Sequence, residues 1–462
     1  MPISNEYTKD ECIMTAAWTG LMMEMRGRSA PLSKRSIPGA LLNVIYLSGF
    51  LDLFGVSLIL PWLTSYAKDL GASATLIGML GSLYGSLQFI SGPVLGKWSD
   101  VSGHRHALIL CLILSAFGYF LLGFSYSLVF VFLARIPIGI FKHSRTITKA
   151  YITDIVPKDH QSATFGRFNA VCSIGFILGP PVGGHIAELP GGFQLAAMLA
   201  GGIFLLNAGM LWFCVPEVNS KLKSVASLEV TATQSKLDNN NEETTKSLEL
   251  QPKVRRVAFS PSKLLYSFKY IDWRNLWDIF LIRLTLGIGT LLYKNHYALF
   301  LKARFSASPS TVGYMMSYSA IASACTGFVI GNIADWYKDD RKLLLHSTFM
   351  MFISFTSTVF VPDLFWLLII VTPLAFSTAI SRICVTSLTI QKGHRHDSGV
   401  LLGLGQSFTA MGRIISPTLA SLSSEISVVA PNVISAACSF IVFILMVILS
   451  RKKQVEVNEK IK

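Results

Sequence analysis

The feature that most constrains this chain is a train of apolar stretches running from Gly39 to Ser450. An α-helix needs about 20 residues to cross the ~30 Å hydrocarbon core of a bilayer. Twelve stretches meet that need, at approximately 39–66, 74–98, 107–126, 128–151, 165–187, 193–215, 276–301, 311–334, 343–361, 364–388, 399–423 and 428–450. Backbone polar groups in lipid must pair within their own segment, so each stretch is expected to be a helix. Charged residues make up 14% of the chain, against ~25% in a typical soluble protein. The expected fold class is therefore an all-α polytopic membrane protein. A secreted or cytosolic enzyme and a disulfide scaffold are excluded.

The net charge of +14 is spread through short stretches between the apolar runs. A nucleic-acid-binding protein would gather it on one face, so no nucleic-acid partner is expected. The N-terminal segment, the even-to-odd loops and the C-terminal segment carry most of the 40 Lys and Arg, whereas the opposite loops hold only Lys68, Lys302 and Arg304. Basic loops stay on the cytosolic side, which predicts both termini there. Residues 1–38 read as a cytosolic segment, broken by Asp10, Glu11 and Glu24 and without a signal-peptide core. The seven Cys lack Cys-x-x-Cys spacing, so neither a metal site nor a disulfide is expected, and no cofactor.

Residues 218–272 contain Lys236-Leu-Asp-Asn-Asn-Asn-Glu-Glu-Thr-Thr-Lys246 and almost no aromatics before Phe259. Such a composition cannot bury a core, and it reads as a cytosolic linker. The expected organisation is a six-helix bundle over 39–217, this linker, a second bundle over 273–450, and a basic tail over 451–462. The halves also repeat. At an offset of 235, Thr75-Leu-Ile-Gly78 matches Ser310-Thr-Val-Gly313, and Gly96 and Asp100 match Gly331 and Asp335. At an offset of 237, Gly175-Phe-Ile-Leu-Gly-Pro180 matches Gly412-Arg-Ile-Ile-Ser-Pro417. Repeated halves in a chain of twelve spans point to a transporter with its site between them.

Gly96-Lys-Trp-Ser-Asp100-Val-Ser-Gly103-His-Arg105 falls between the second and third spans. Gly96 would permit close helix contact, Gly103 an unusual backbone angle, and Asp100 could cap a neighbouring helix. The string resembles the loop signature of the major facilitator superfamily, Gly-x-x-x-Asp-Arg-x-Gly-Arg-Arg/Lys. Val101 and His104 replace two of its arginines, which weakens the usual charge lock. Asp52-Leu-Phe-Gly55 with Pro61, Arg135-Ile-Pro-Ile-Gly139 and Gly175-Phe-Ile-Leu-Gly179-Pro180-Pro-Val-Gly183-Gly184 are similar to motifs of its drug/proton antiporter branch. Ala150-Tyr-Ile-Thr-Asp154 and Val215-Pro-Glu217 sit where tetracycline/proton antiporters carry similar strings. The resemblance implies two pseudo-symmetric six-helix bundles, a cytosolic gate at Gly96, Asp100, Gly103, Arg105, Asp154 and Asp335, and proton-coupled transport. Gly175, Gly179 and Gly183 form a smooth stripe beside the helix-bending Pro180, as expected of a helix that rocks on its partner. Their role as packing devices alone stays open.

A charge at mid-membrane costs about 2.5–3.5 kcal/mol on insertion scales, so it faces the interior and needs a partner. Asp52 lies mid-way along the first span, and its expected partner is Arg135. The pair is either structural or a proton site. Arg135, Lys142 and Lys149 are seven apart and would share one face of a continuous helix. Lys142, Arg283, Lys294 and Arg413 are the expected substrate-cavity residues. Interior acids do not match this positive charge, which favours an anionic substrate. The sequence reading is a monomeric secondary transporter of a small organic solute, with protons as the coupling ion. An anion uniporter or symporter and a non-transporting sensor remain as alternatives.

Overall fold

The computed structural model describes residues 39–216, 273–392 and 398–461. The expected N-terminal segment (1–38) and linker (218–272) lie outside them. The first half contains α1 (Gly39–Ser57), α2 (Leu63–Asp69), α3 (Ala74–Ser102), α4 (His104–Gly123), α5 (Leu128–Phe141), α6 (Ser144–Ile155), α7 (Lys158–Ala187) and α8 (Gly192–Cys214). The second contains α9 (Trp273–Phe305), α10 (Pro309–Tyr337), α11 (Asp340–Val359), α12 (Leu364–Lys392), α13 (Ser398–Ile426) and α14 (Ala430–Ile461). Helices fall on all twelve apolar stretches. Among the described residues, eight helices are long and apolar enough to cross a membrane on those criteria alone.

Two spans are each divided between two helices. The first divides at 58–62, where α1 gives way to the short α2. The fourth divides at Lys142-His143, between α5 and α6. The expected loop after the second span is instead helical through Ser102. Only Gly103 separates α3 from α4, and its φ of +93° explains why a glycine stands there.

Within the first half α1 packs on α7, and α4 on α8. Within the second, α9 packs on α13, and α11 on α12 and α14. Two helix pairs form most of the junction between the halves, α3 with α13 and α7 with α10, and α2 touches α9 beside them. The sequence repeat relates α3 to α10 and α7 to α13, so each junction maps onto the other, as a pseudo-two-fold axis requires. The repeated motifs are themselves the contacts. A Cβ on Gly78 would stand 2.7 Å from Thr418 Cα, and one on Gly81 2.5 Å from Pro417 Cβ. One on Gly313 would run into the Pro180 carbonyl. Small residues and prolines thus let backbones meet across the seam.

These contacts occupy one end of the molecule. Glu188 Oε1 accepts hydrogen bonds from the Ser310 amide (3.1 Å) and hydroxyl (2.7 Å). His185 Nε2 lies 2.8 Å from the Tyr314 hydroxyl. Lys302 reaches Asp69 at 3.7 Å, and Ser317 donates to the Ile177 carbonyl. Towards the other end, added Cβ atoms on Gly96, Gly166 and Gly327 would meet nothing within 4 Å. The halves are therefore joined at the end bearing α2 and diverge towards the end bearing Gly103.

The glycine stripe of α7 finds its partner within its own half. Gly175 lies against the Phe50 carbonyl, Gly179 against Ser57, and Gly183 against the Leu58 carbonyl. These neighbours belong to α1 and the turn after it, inside the same half. The α7 surface that meets the other half carries Ile177, Pro180 and Gly184.

Candidate substrate and proton site

Asp52, on α1, is 3% exposed. Its Oδ1 accepts hydrogen bonds from the Lys142 ammonium, in an ion pair, and from the Ser144 hydroxyl at 2.5 Å. The ammonium also lies 3.2 Å from Ser144 Oγ and 4.3 Å from the centre of the Phe204 ring. The expected partner of Asp52 was Arg135, and the structure corrects this. Arg135 is buried with its guanidinium 5.2 Å from the Tyr84 ring centre, and its Nε has no hydrogen-bond partner.

The helix break explains the exchange of partners. In a continuous helix the Thr146 amide would bond to the Lys142 carbonyl. Here it bonds to the His143 carbonyl at 2.9 Å. The Lys142 carbonyl instead accepts from Gln88 Nε2 at 3.1 Å, a side chain of α3. The discontinuity ends the heptad alignment of Arg135, Lys142 and Lys149. It places Lys142 and Ser144, from either side of the break, on one carboxylate oxygen.

Gln88 also reaches the second half. Its Oε1 accepts a 2.9 Å hydrogen bond from Arg413 on α13, and its Nε2 donates to the Tyr84 hydroxyl at 3.2 Å. An arginine can only donate, so Arg413 fixes which end of the amide faces it. His143, at the break, lies 2.9 Å from Ser91 Oγ.

The remaining expected cavity residues belong to the second half. Arg283 donates weakly to Thr409 Oγ1 at 3.4 Å, and one of its terminal nitrogens is buried without a partner. Its guanidinium lies over Gly405, where a Cβ would stand 2.6 Å away. Lys294, near the middle of α9, has no acceptor among the described residues, and Arg382 lies close enough to repel it. Lys142 and Arg413 thus gather with Arg135 around Gln88 and Tyr84, while Arg283 and Lys294 stand apart from that cluster.

The expected gate residues surround the α3–α4 junction. His104 Nε2 lies 3.3 Å from Asp154 and 3.9 Å from Asp100. The substituted histidine therefore occupies the place between two acids. Asp100 is 71% exposed and faces His104 rather than capping a neighbouring helix. Arg105 donates to the Trp212 carbonyl at 2.6 Å and stacks over that ring at 5.5 Å. Gly96, expected in close helix contact, faces open space because the halves diverge there. Asp335 lies on α10, and its side chain is outside those described.

Gln88, Tyr84 and Ser144 are the site residues that sequence reasoning missed. One signal was available. Gln88 is the sole side-chain amide within 74–98, and an amide in an apolar span must find partners to offset its desolvation. Among the described residues, no group of His, Cys, Asp and Glu could hold a metal ion.

Similar proteins carry this architecture. The human Solute carrier family 67 member A1 is 25% identical over 416 residues, covering 86% of this chain and 91% of the relative. The class B tetracycline resistance protein of Escherichia coli is 27% identical over 379 residues, covering 80% and 84%. The crystal structure of the human organic anion transporter MFSD10 (TETRAN) superposes with a TM-score of 0.57 at 20% identity, covering 89% of this chain and all of that one. The family model of the Major Facilitator Superfamily matches residues 45–417 and, in a second alignment, 279–462. Two helical halves, a seam built from their repeated motifs and this match place the chain in the Major Facilitator Superfamily, as a multi-pass membrane transporter and not an enzyme.

Proposed function

We propose that the chain is a proton-coupled transporter of a small organic anion, working by alternating access. The observation that carries the reading is the imbalance of interior charge. Asp52 is matched by Lys142, while Arg135, Arg283, Lys294 and Arg413 have no carboxylate partner among the described residues. Arg135 is buried, Arg283 and Arg413 are half-buried and Lys294 is exposed, so uncompensated positive charge runs from the interior to an accessible surface, and an anionic ligand supplies the missing charge. The likeness to an organic anion transporter agrees with this class of substrate. The likeness to a tetracycline resistance protein agrees with placement in the drug/proton antiporter branch. Within the superfamily, Ala134–His143 resembles the animal major facilitator superfamily domain-containing protein 9.

Asp52 is the proton carrier in this reading. Its carboxylate is paired with the Lys142 ammonium, and in the proposed cycle a proton takes the place of that ammonium. With both termini cytosolic, the diverging end faces the cytosol. Closure of that end would bring Gly96 of α3 towards α13 and the α3–α4 junction, with Asp100, His104 and Asp154, towards the other half.

The test is uptake into proteoliposomes of benzoate, glutarate and sulfate, with tetraethylammonium as the cationic control, with and without a pH gradient. Accumulation of at least one anion, driven by the gradient and lost in Asp52→Asn, is expected. Uptake of the cation alone overturns the anion reading. Anion uptake indifferent to the gradient overturns the proton reading. Protease cleavage of 218–272 only from the side opposite the termini would overturn the orientation.

A further inference from the structure

We infer that Gln88 is the positioning residue that links substrate occupancy at Arg413 to the Asp52–Lys142 pair, so that anion and proton bind together. The inference rests on the proposed proton coupling and adds its route and its sign, which is co-transport of anion and proton in place of the exchange that gives the antiporter branch its name.

Gln88 is the point where the two halves and the helix break meet. Its carbonyl oxygen holds Arg413 of the second half, and its amide nitrogen holds the Lys142 carbonyl and the Tyr84 hydroxyl. The ends of a primary amide are not interchangeable. While Arg413 donates to Oε1, the NH2 group must face Lys142 and Tyr84. That donation supplies the hydrogen bond that Lys142 loses at the break, and so supports the turn from which its ammonium reaches Asp52. The backbone adds a constraint, because a Cβ on Gly85, one turn before Gln88, would stand 2.9 Å from the Arg413 carbonyl. The backbone of Arg413 is therefore held against the α3 surface that carries Gln88, and its side chain is the part left to swing.

An anion that pairs with Arg413 and draws its guanidinium away removes the Nη1 donor from Gln88 Oε1. The amide is then free to turn, and the Lys142 carbonyl loses its cap. The break loosens and the ammonium leaves Asp52. One proton from solvent then adds to the freed carboxylate, which becomes a neutral carboxylic acid. The groups that act on Asp52 besides Lys142 are the Ser144 hydroxyl on α6, Tyr84 on α3, Tyr119 on α4 and Cys172 on α7. None of these is a second carboxylate that could take the proton instead. The approaching anion also disfavours a second negative charge nearby, so both effects favour protonation. By linkage, a proton on Asp52 strengthens anion binding by the same factor.

The experiment follows proton movement into proteoliposomes with an entrapped pH dye during benzoate or glutarate uptake, across a series of external pH values. It compares wild type with Gln88→Glu and Gln88→Met. Gln88→Glu keeps an acceptor for Arg413 but, when ionised, cannot donate to the Lys142 carbonyl. Gln88→Met removes both contacts at similar length. In wild type, protons are expected to enter with the anion, and uptake to rise as external pH falls. Both variants should lower proton entry per anion by about tenfold or more and flatten the pH profile, a loss of at least one decade of coupling. A merely structural amide would lower both fluxes together and leave their ratio intact, and that result overturns the inference. Protons leaving as the anion enters overturns its sign. Proton-independent anion uptake by wild type would instead remove the reading on which it rests.

Discussion

The two halves share a fold but treat charge differently. In the first half the buried cation Lys142 has a carboxylate, a hydroxyl and an aromatic ring around it. In the second, Arg283 has one long hydrogen bond and a buried nitrogen without a partner, and Lys294 has no acceptor among the described residues. A neutralised pair can hold a structure and exchange a proton. A cation left without an acid is a place for a charge that arrives from outside. Arg135 is the first half's own cation without an acid, stacked on Tyr84 beside Gln88, so the comparison places proton handling in the first half and anion recognition in the second and at the junction that Arg135 borders. Arg413 and Gln88 stand at their junction.

The division is tested most severely at Asp52. Asp52→Asn leaves the Lys142 ammonium buried without its counter-charge, and Lys142→Met does the reverse. Breaking a buried pair from one side costs about 3–5 kcal/mol. Each single variant should therefore show a sharply lowered thermal midpoint in detergent. The double variant Asp52→Asn/Lys142→Met should recover most of the loss while remaining unable to use a pH gradient. Equal loss in single and double variants would show that the two residues do not act as a pair.

Gly179→Leu is the next largest effect. The stripe Gly175, Gly179 and Gly183 rests on α1 and the turn after it, inside the first half. Overpacking a close seam typically costs about 1–3 kcal/mol, and a Cβ here already overlaps Ser57 Oγ. The variant should lose stability. Gly184→Leu, facing Pro309 across the halves at 2.6 Å from an added Cβ, should keep stability better and shift the balance between the two facing states. Accessibility of a cysteine placed at the joined end reads that balance. The opposite ranking would make the α1–α7 seam the moving one.

How much of this the sequence discloses follows from what kind of fact each is. The spans are legible because crossing a bilayer demands apolar length. The seam is legible as a repeat because two-fold contacts reuse the same small residues, Gly78 with Gly313 and Pro180 with Pro417. Asp52 and Lys142 are legible as buried charges, but their pairing is not. A heptad projection assumes a continuous helix, and nothing in Ile140-Phe-Lys-His-Ser144 announces a break. The break depends on a cap from Gln88, 54 residues away in sequence, which no local pattern reports. The partner of the α7 stripe is hidden for the same reason, since a glycine face shows that something approaches closely and not what.

In the second half the sign of the mutational effect should reverse. Arg283→Met removes a cation whose buried nitrogen is unsatisfied, a cost of about 1–3 kcal/mol to the folded state. The variant should be slightly more stable than wild type while its affinity for benzoate or glutarate falls by about tenfold. Lys294→Gln should weaken anion binding similarly. A second-half variant that loses stability as Lys142→Met does would erase the contrast between the halves.

The smallest effect belongs to the joined end, outside the membrane. Glu188 follows α7, and its carboxylate accepts both the amide and the hydroxyl of Ser310, at the start of α10 in the other half. These donors, chiefly the Ser310 hydroxyl, hold its pKa below the ordinary 4.5. The joined end thus binds the ionised carboxylate more tightly than the protonated one. Its contribution is complete above about pH 4.5 and is lost as pH falls through the lowered value. Because the group is open to solvent, the effect is screened and should appear as a modest shift between two states rather than as unfolding. Spin labels at Tyr126 and Phe360, each 76% exposed and one in each half, would report it in a cysteine-free background. In wild type, the population with a wider separation at this end should hold steady from pH 7 down to about 4.5 and grow as pH falls below that. In Glu188→Gln, which lacks the titrating carboxyl, that population should already be raised at pH 7 and change less with pH. An identical pH response in both proteins would assign the acid sensitivity elsewhere, and His185, 2.8 Å from Tyr314 across the same seam, would be the next residue to replace.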